Sequence, residues 1–203
     1  QNDSRLFDPG EHSHRRLNPL TGEWVLVSPH RNTRPWQGQQ EKNAPQTHAE
    51  YDKNCYLCPG NKRINGEQNS AYTGTYVFTN DFAALQAEQR VQNHRPHPLL
   101  VSKPVSGTSR VICFSPDHSR TLPQMSVQSI NKVVGCWIEQ LNELSQTHQW
   151  VQIFENKGEM MGCSNPHPHG QIWALDQLPT QAEKVDWNLK LYMQRHQSNL
   201  VMD

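Results

Sequence analysis

The sequence predicts an α+β fold, an antiparallel sheet with helices packed against it. Three observations carry this: short β-branched and aromatic runs closed by turn residues, one long stretch with helical periodicity, and no internal repeat. Residues 23–27, Glu-Trp-Val-Leu-Val, form the first expected strand. A Pro- and Arg-rich loop over residues 28–38 follows and carries Arg31 and Arg34. Residues 75–79 form the second strand, ended by Asn80-Asp81, and residues 109–114 the third, closed by Ser115-Pro116-Asp117-His118. From Val127, apolar side chains recur at Ile130, Val133, Val134, Trp137, Ile138, Leu141 and Leu144, the 3.6-residue period of a helix lying on a sheet. Residues 150–155 alternate as a fourth strand, and residues 171–175 make a fifth. Residues 181–195 are weakly helical. Residues 1–22 read as a flexible lead-in, 39–54 as a polar linker and 86–98 as a His/Pro loop. The domain layout expected from this is a lead-in over 1–22, a catalytic domain over 23–180 and a helical tail over 181–203.

Composition narrows the function. The 203 residues hold 19 Lys+Arg against 19 Asp+Glu, so a role resting on non-specific affinity for nucleic acid or anionic membranes is disfavoured. Apolar residues are 34% of the chain, a thin supply beside the roughly 45–50% of an average globular chain by a slightly wider count. Six Trp still argue against wholesale disorder. No run approaches the roughly 18–20 apolar residues of a membrane span, and the start lacks the charge and apolar pattern of a signal peptide. A soluble, unexported, cytoplasmic protein is expected, with neither nucleic acid nor membrane as partner.

The five cysteines are an odd number, and two stand as Cys55-Tyr56-Leu57-Cys58 before Pro59-Gly60. In an unexported chain this spacing favours metal over a disulfide, because two thiolates on one tight turn can reach a single Zn²⁺. A redox pair is the rival; that motif normally opens a helix, which Pro59 and Gly60 would break. Cys113 and Cys136 sit in apolar patterns and read as core.

The richest segment lies between the last two strands. Residues 162–171 contain two His, two Pro, two Gly, Ser and Asn, a composition that suits neither core nor helix. Asn165 and His167 each precede proline and are held extended. Alternate side chains on an extended chain share a side, so His167 and His169 face one locale, where one can serve a metal while the other reacts.

The segment Glu155-Asn156-Lys157-Gly158 followed by Gly162-Cys163-Ser164-Asn165-Pro166-His167-Pro168-His169-Gly170-Gln171 closely resembles the active-site segment of the galactose-1-phosphate uridylyltransferases, a branch of the histidine-triad superfamily. Asn18-Pro19-Leu20, Trp24, residues 31–37, the Cys55/Cys58 knuckle, residues 76–85 and residues 110–123 are similar to the same family, so the resemblance runs from about residue 15 to 179 and covers the family's N-terminal half. It implies a histidine-triad-like antiparallel sheet with packed helices.

It also implies a reaction. In the family, UDP is exchanged between glucose 1-phosphate and galactose 1-phosphate through a uridylyl-histidine. The resemblance makes His169 the nucleophile, a role that suits an imidazole largely neutral near pH 7. Its Nδ1 proton needs an acceptor, for which the His167 carbonyl is a candidate. Gln171 stands where histidine-triad hydrolases carry a third His. A sugar phosphate leaves as a stabilised anion and needs no proton, so an amide there favours transfer over hydrolysis while still donating hydrogen bonds. Ser164 and the backbone at Gly162 and Cys163 are implied to hold the β-phosphate. Leu57 and Phe78 are implied as walls around uracil, Asn80 and Asp81 as ribose contacts, Val111 and Asn156 as further pocket contacts, with Phe82 a weaker candidate. Arg31 and Arg34 resemble arginines that one subunit of a homodimer lends to the other. His118 and His167 are implied to complete a closed, structural Zn site with Cys55 and Cys58. The family's second metal site uses a Glu where this chain has Val185, with Glu183 two residues away, so that site is expected to be absent. Two further readings stay open: a related nucleoside-diphosphate-sugar phosphorylase or hydrolase, and a zinc-stabilised uridine-nucleotide-binding half-protein without turnover.

Overall fold

The computed structural model of the protein describes residues 6–35, 38, 49–87 and 94–203. Parts of the expected linker over 39–54 and of the expected loop over 86–98, and residues 36–37, lie outside the described residues. In chain order the elements are β1 (His14–Asn18), β2 (Glu23–Val27), β3 (Tyr76–Thr79), β4 (His94–His97), β5 (Leu100–Ser102), β6 (Gly107–Cys113), α1 (Val127–Leu144), β7 (Trp150–Phe154), β8 (His169–Leu175) and α2 (Thr180–His196). Among the described residues, no helix is long and apolar enough to cross a membrane.

The chain divides into two compact units, Gln1–Ala44 with Pro179–Asp203, and Pro45–Leu178. In the first, β1 pairs antiparallel with β2, Arg16 opposite Val25, and the Arg15 guanidinium lies 5.0 Å from the centroid of a Trp24 ring. Within the same unit, Lys184 of α2 donates to Glu23 at 2.7 Å. This departs from the sequence reading in three ways. Part of the expected lead-in is a strand, the expected tail belongs with the N-terminal hairpin, and β2 lies outside the main sheet. His-Arg-Arg-Leu-Asn has no apolar alternation, so β1 is defined by its partner strand instead of by a buried face of its own.

The second unit holds a four-stranded antiparallel sheet in the order β3-β6-β8-β7. β4 and β5 form a separate hairpin, with β4 inside the stretch 86–98 expected to be loop. The central strands pair over seven residues, Gly107 opposite Leu175 through Cys113 opposite His169. Gly107 has no room for a side chain: a Cβ there would stand 2.2 Å from the Ala174 carbonyl oxygen.

Strand alternation gives this sheet two different faces. Val77, Ile112, Val151, Ile153, Ile172 and Ala174 pack with Ile130, Val133, Cys136, Trp137 and Leu144 of α1 into one apolar cluster. α1 opens at Ser126, whose hydroxyl accepts from Ser129 N at 3.2 Å, a cap worth about 1 kcal/mol. Arg110, on the α1 side, donates to both Glu143 carboxylate oxygens at 3.0 and 2.7 Å and to Gln140 at 2.6 Å. The odd-numbered positions of β6 and β8 face the other way. There Val111 and Cys113 pack with Tyr76, Phe78, Tyr72, Leu57 and the two knuckle cysteines in a second cluster. His169 and Gln171 share the parity of this face in β8, so the sheet separates a helix-packed side from a side that meets the knuckle.

Candidate active site

The knuckle is built by backbone turns locked with amides. Cys58 N donates to the Cys55 carbonyl at 3.2 Å, and Asn61 Nδ2 donates to the carbonyls of Asp52 and Cys55 at 2.9 and 2.8 Å. Asn69 Nδ2 holds the Tyr56 and Cys58 carbonyls, and Tyr72 Oη donates to that of Leu57 at 2.6 Å. No local pattern in the sequence pointed to these amide clamps.

The knuckle meets two histidines from distant turns. Cys55, Cys58, His118 and His167 are all buried, and their potential ligand atoms lie within 4.8 Å of one another. Cys58 Sγ is 3.5 Å from His118 Nδ1 and 3.5 Å from His167 Nδ1. Tetrahedral bonds of about 2.3 Å to sulfur and about 2.0 Å to nitrogen would separate S from N by about 3.5 Å, so the spacing fits a zinc-sized cation. The outer contacts fit as well. His167 Nε2 is 3.0 Å from the Ser115 carbonyl oxygen, which accepts its proton and leaves Nδ1 facing the sulfurs. Asn165 Oδ1 accepts from His167 N at 2.9 Å, while its Nδ2 donates to Cys55 Sγ at 3.6 Å. Burial pushes the Cys58 thiol up to about 11 and the His167 imidazole down to about 4. Cys58 and His167 are therefore held neutral, and a cation is what would favour the Cys58 thiolate.

His169 begins β8, two residues beyond His167. Its Nδ1 is 2.7 Å from the His167 carbonyl oxygen, which accepts the Nδ1 proton and fixes the tautomer with the lone pair on Nε2. The preceding loop is tied to the sheet by Phe114 N, which donates to the Pro168 carbonyl at 3.2 Å.

Beside His169 lies a cavity of about 290 Å³, near the lower end of ligand sites, which run from about 300 to 1,000 Å³. Of the residues expected from the sequence, Leu57, Phe78, Asn80, Asp81, Phe82, Val111, Ser164, His169 and Gln171 line it. Tyr56 and Ile64 also line it and were missed. Tyr56 lies inside the knuckle motif itself. The Asn65-Gly66 pair was the available signal for a turn bringing Ile64 back. Asn156, Gly162 and Cys163 are not among the lining residues. Gly162 closes the 3-10 turn Glu159–Met161 with φ +80°, and the Cys163 thiol donates to the Asn165 carbonyl at 3.1 Å. Arg31 and Arg34 are exposed at the 3-10 turn Pro29–Thr33, in the other unit.

A profile described as "Galactose-1-phosphate uridyl transferase, N-terminal domain" matches residues 5–179. The chain belongs to this galactose-1-phosphate uridylyltransferase family. Within it, the galactose-1-phosphate uridylyltransferase of Haemophilus influenzae is 54% identical over 198 residues, 98% of this chain and 57% of the relative. A probable galactose-1-phosphate uridylyltransferase of Drosophila melanogaster is 49% identical over 97% of this chain and 56% of its own length. The chain thus spans somewhat over half the length of the curated family members it matches. Among solved structures, an ADP-glucose phosphorylase from Arabidopsis thaliana, with bound ADP-glucose, shares the fold at a TM-score of 0.64 and 20% identity, covering 93% of this chain and 56% of that one.

Proposed function

We propose that the chain is the catalytic half of a cytoplasmic uridylyltransferase that exchanges the uridylyl group of UDP-glucose between glucose 1-phosphate and galactose 1-phosphate, in the Leloir route of galactose metabolism. The observation that carries this reading is the His169 tautomer, anchored through Nδ1 and bordering the cavity. Nε2 attacks the α-phosphorus of UDP-glucose. The bond from that phosphorus to the bridging oxygen breaks, and glucose 1-phosphate departs with the electron pair, needing no proton. A phosphate oxygen of galactose 1-phosphate then attacks the same phosphorus; the P–N bond breaks, its electrons return to Nε2, and UDP-galactose leaves. Throughout, the proton stays on Nδ1, hydrogen-bonded to the His167 carbonyl.

In this reading Gln171 and Ser164 donate to the phosphoryl oxygens, and the backbone at Gly162 and Cys163 approaches the β-phosphate. Leu57, Phe78 and Val111 wall the uracil; Asn80 and Asp81 take the ribose, with Asn156 a further contact. Arg31 and Arg34 would be lent across a homodimer to the phosphates. Zinc would be held by Cys55, Cys58, His118 and His167, and with four protein ligands its role is structural. The chain between His167 and His169 is a single proline, so a fixed His167 holds the nucleophile's carbonyl anchor in place.

The test is incubation with α-labelled UDP-glucose. Acid-labile label should appear on the protein and be missing in His169→Asn. Chasing with galactose 1-phosphate, inorganic phosphate or water separates transferase from phosphorylase and hydrolase. No label, or label that persists in the variant, sinks the proposal.

A further inference from the structure

Arg63 is 8% exposed, and nothing above uses it. It sits on a short hairpin: Lys62 bridges Gln68, Arg63 N donates to the Glu67 carbonyl at 2.7 Å, and Gly66 turns the chain at φ +89°. Its guanidinium stands over the Phe78 ring, 4.3 Å from the centroid, and one arm pairs with Glu67. Its Nε is 3.4 Å from Asp81 Oδ1, an ion pair between side chains 6% and 9% exposed. The pairing is incomplete. Neither Arg63 Nε nor Asp81 Oδ1 has an aligned hydrogen bond. Asp81 nevertheless lines the cavity, as does Phe78. A buried carboxylate needs a counter-charge and hydrogen-bond donors. Arg63 supplies the charge at the buried Oδ1, which leaves the cavity side of the Asp81 carboxylate to take donors from whatever fills the cavity.

We propose that Arg63 is a positioning residue that sets the cavity's preference for a ribonucleotide, by holding the Asp81 carboxylate ready for a sugar hydroxyl while fixing the Phe78 ring beside it. This rests on the nucleotide reading above. A planar guanidinium suits the task, because it can lie on a ring face and aim an N–H at a carboxylate together, whereas a lysine can supply only the charge.

The test measures binding of UDP, 2′-deoxy-UDP and 3′-deoxy-UDP by calorimetry to the full metal-loaded chain, to Arg63→Gln, Arg63→Lys and Asp81→Asn. Wild type should prefer UDP over at least one deoxy analogue by about tenfold or more, the scale of a hydrogen bond to a charged group. That ratio should fall below about threefold in R63Q and D81N, and to an intermediate value in R63K. Melting temperatures run alongside, since a purely structural Arg63 would lower stability and leave the ratio intact. An R63Q that binds UDP with the wild-type ratio overturns the proposal, as does a D81N that keeps it or a wild type with no preference. If R63Q does not fold, R63K decides: an unchanged ratio there overturns it. A wild type that fails to bind UDP removes the nucleotide reading itself, a different failure from an unchanged ratio.

Discussion

Gly170 lies between His169 and Gln171, and an added methyl there tests whether the site's geometry depends on strand packing. A Cβ at this position would stand 3.0 Å from the Phe154 carbonyl oxygen and 3.1 Å from two carbons of the Phe114 ring. The oxygen belongs to the backbone of β7 and the ring is 3% exposed, so neither neighbour can swing aside. Close carbon–oxygen contacts sit at about 3.3–3.6 Å, so β8 must move by about 0.3–0.6 Å. Overpacking of this kind costs about 1–3 kcal/mol, or about 2–12 °C in Tm for a chain of this size. Because His169 moves with the strand, labelling by UDP-glucose should slow by about tenfold, scaled from the loss that a 1 Å misplacement causes. Gly135 supplies the matched control. It lies within α1 with nothing within 4 Å of its would-be Cβ, so Gly135→Ala should stabilise by about 0.5–1 kcal/mol. Thermal melts and single-turnover labelling read both variants. The reasoning is refuted if Gly170→Ala melts at or above the wild-type temperature while Gly135→Ala rises as expected.

Elemental analysis should find one zinc per chain, and Cys58→Ser or strong chelation should remove it and lower Tm by about 10 °C or more, because metal binding at a buried donor set is folding energy. Acid sensitivity has an assignable part. The Ser106 hydroxyl, at 2.6 Å, and then His148 hold the Asp176 carboxyl below the usual aspartate range. A lowered folded value means that the stabilisation is complete above the ordinary aspartate value of about 4 and is lost as pH falls through the folded value. In urea titrations from pH 7 to about 2.5, the stability gap between wild type and Asp176→Asn should therefore close at the acid end; a constant gap would contradict the assignment.

Local chemistry made much of the second unit legible. α1 spans residues 127–144 as its period indicates, since one apolar stripe must be buried and Ser126 can cap its start. β3, β7 and β8 appear where β-branched runs announced them, with ends shifted by one or two residues. β8 starts at His169, earlier than expected, because pairing with Cys113 across the sheet extends a strand that the Pro-Gly composition seemed to end. The knuckle and the His-Pro-His loop were readable for the same reason: their spacing is itself the chemical constraint.

Other features depended on partners far along the chain. β1 is polar apart from Leu17 and exists through β2; β4 and β5 define each other; the division into two units joins residues from both ends. Nothing in the sequence set Arg63 apart, and its burial comes from its placement over Phe78 and beside Asp81. The sequence by itself singled out the Cys55/Cys58 pair as metal donors, the His167/His169 pair as the histidines of interest and the stripes that must be covered, because those properties belong to side-chain chemistry and short-range periodicity, while the part each histidine plays came from the family resemblance. Only the tertiary structure decided that odd-numbered positions of β6 and β8 face the knuckle and even-numbered ones face α1. It also decided which carbonyl takes the His169 proton and which cation answers Asp81, since each depends on the packing of segments that no local pattern brings together.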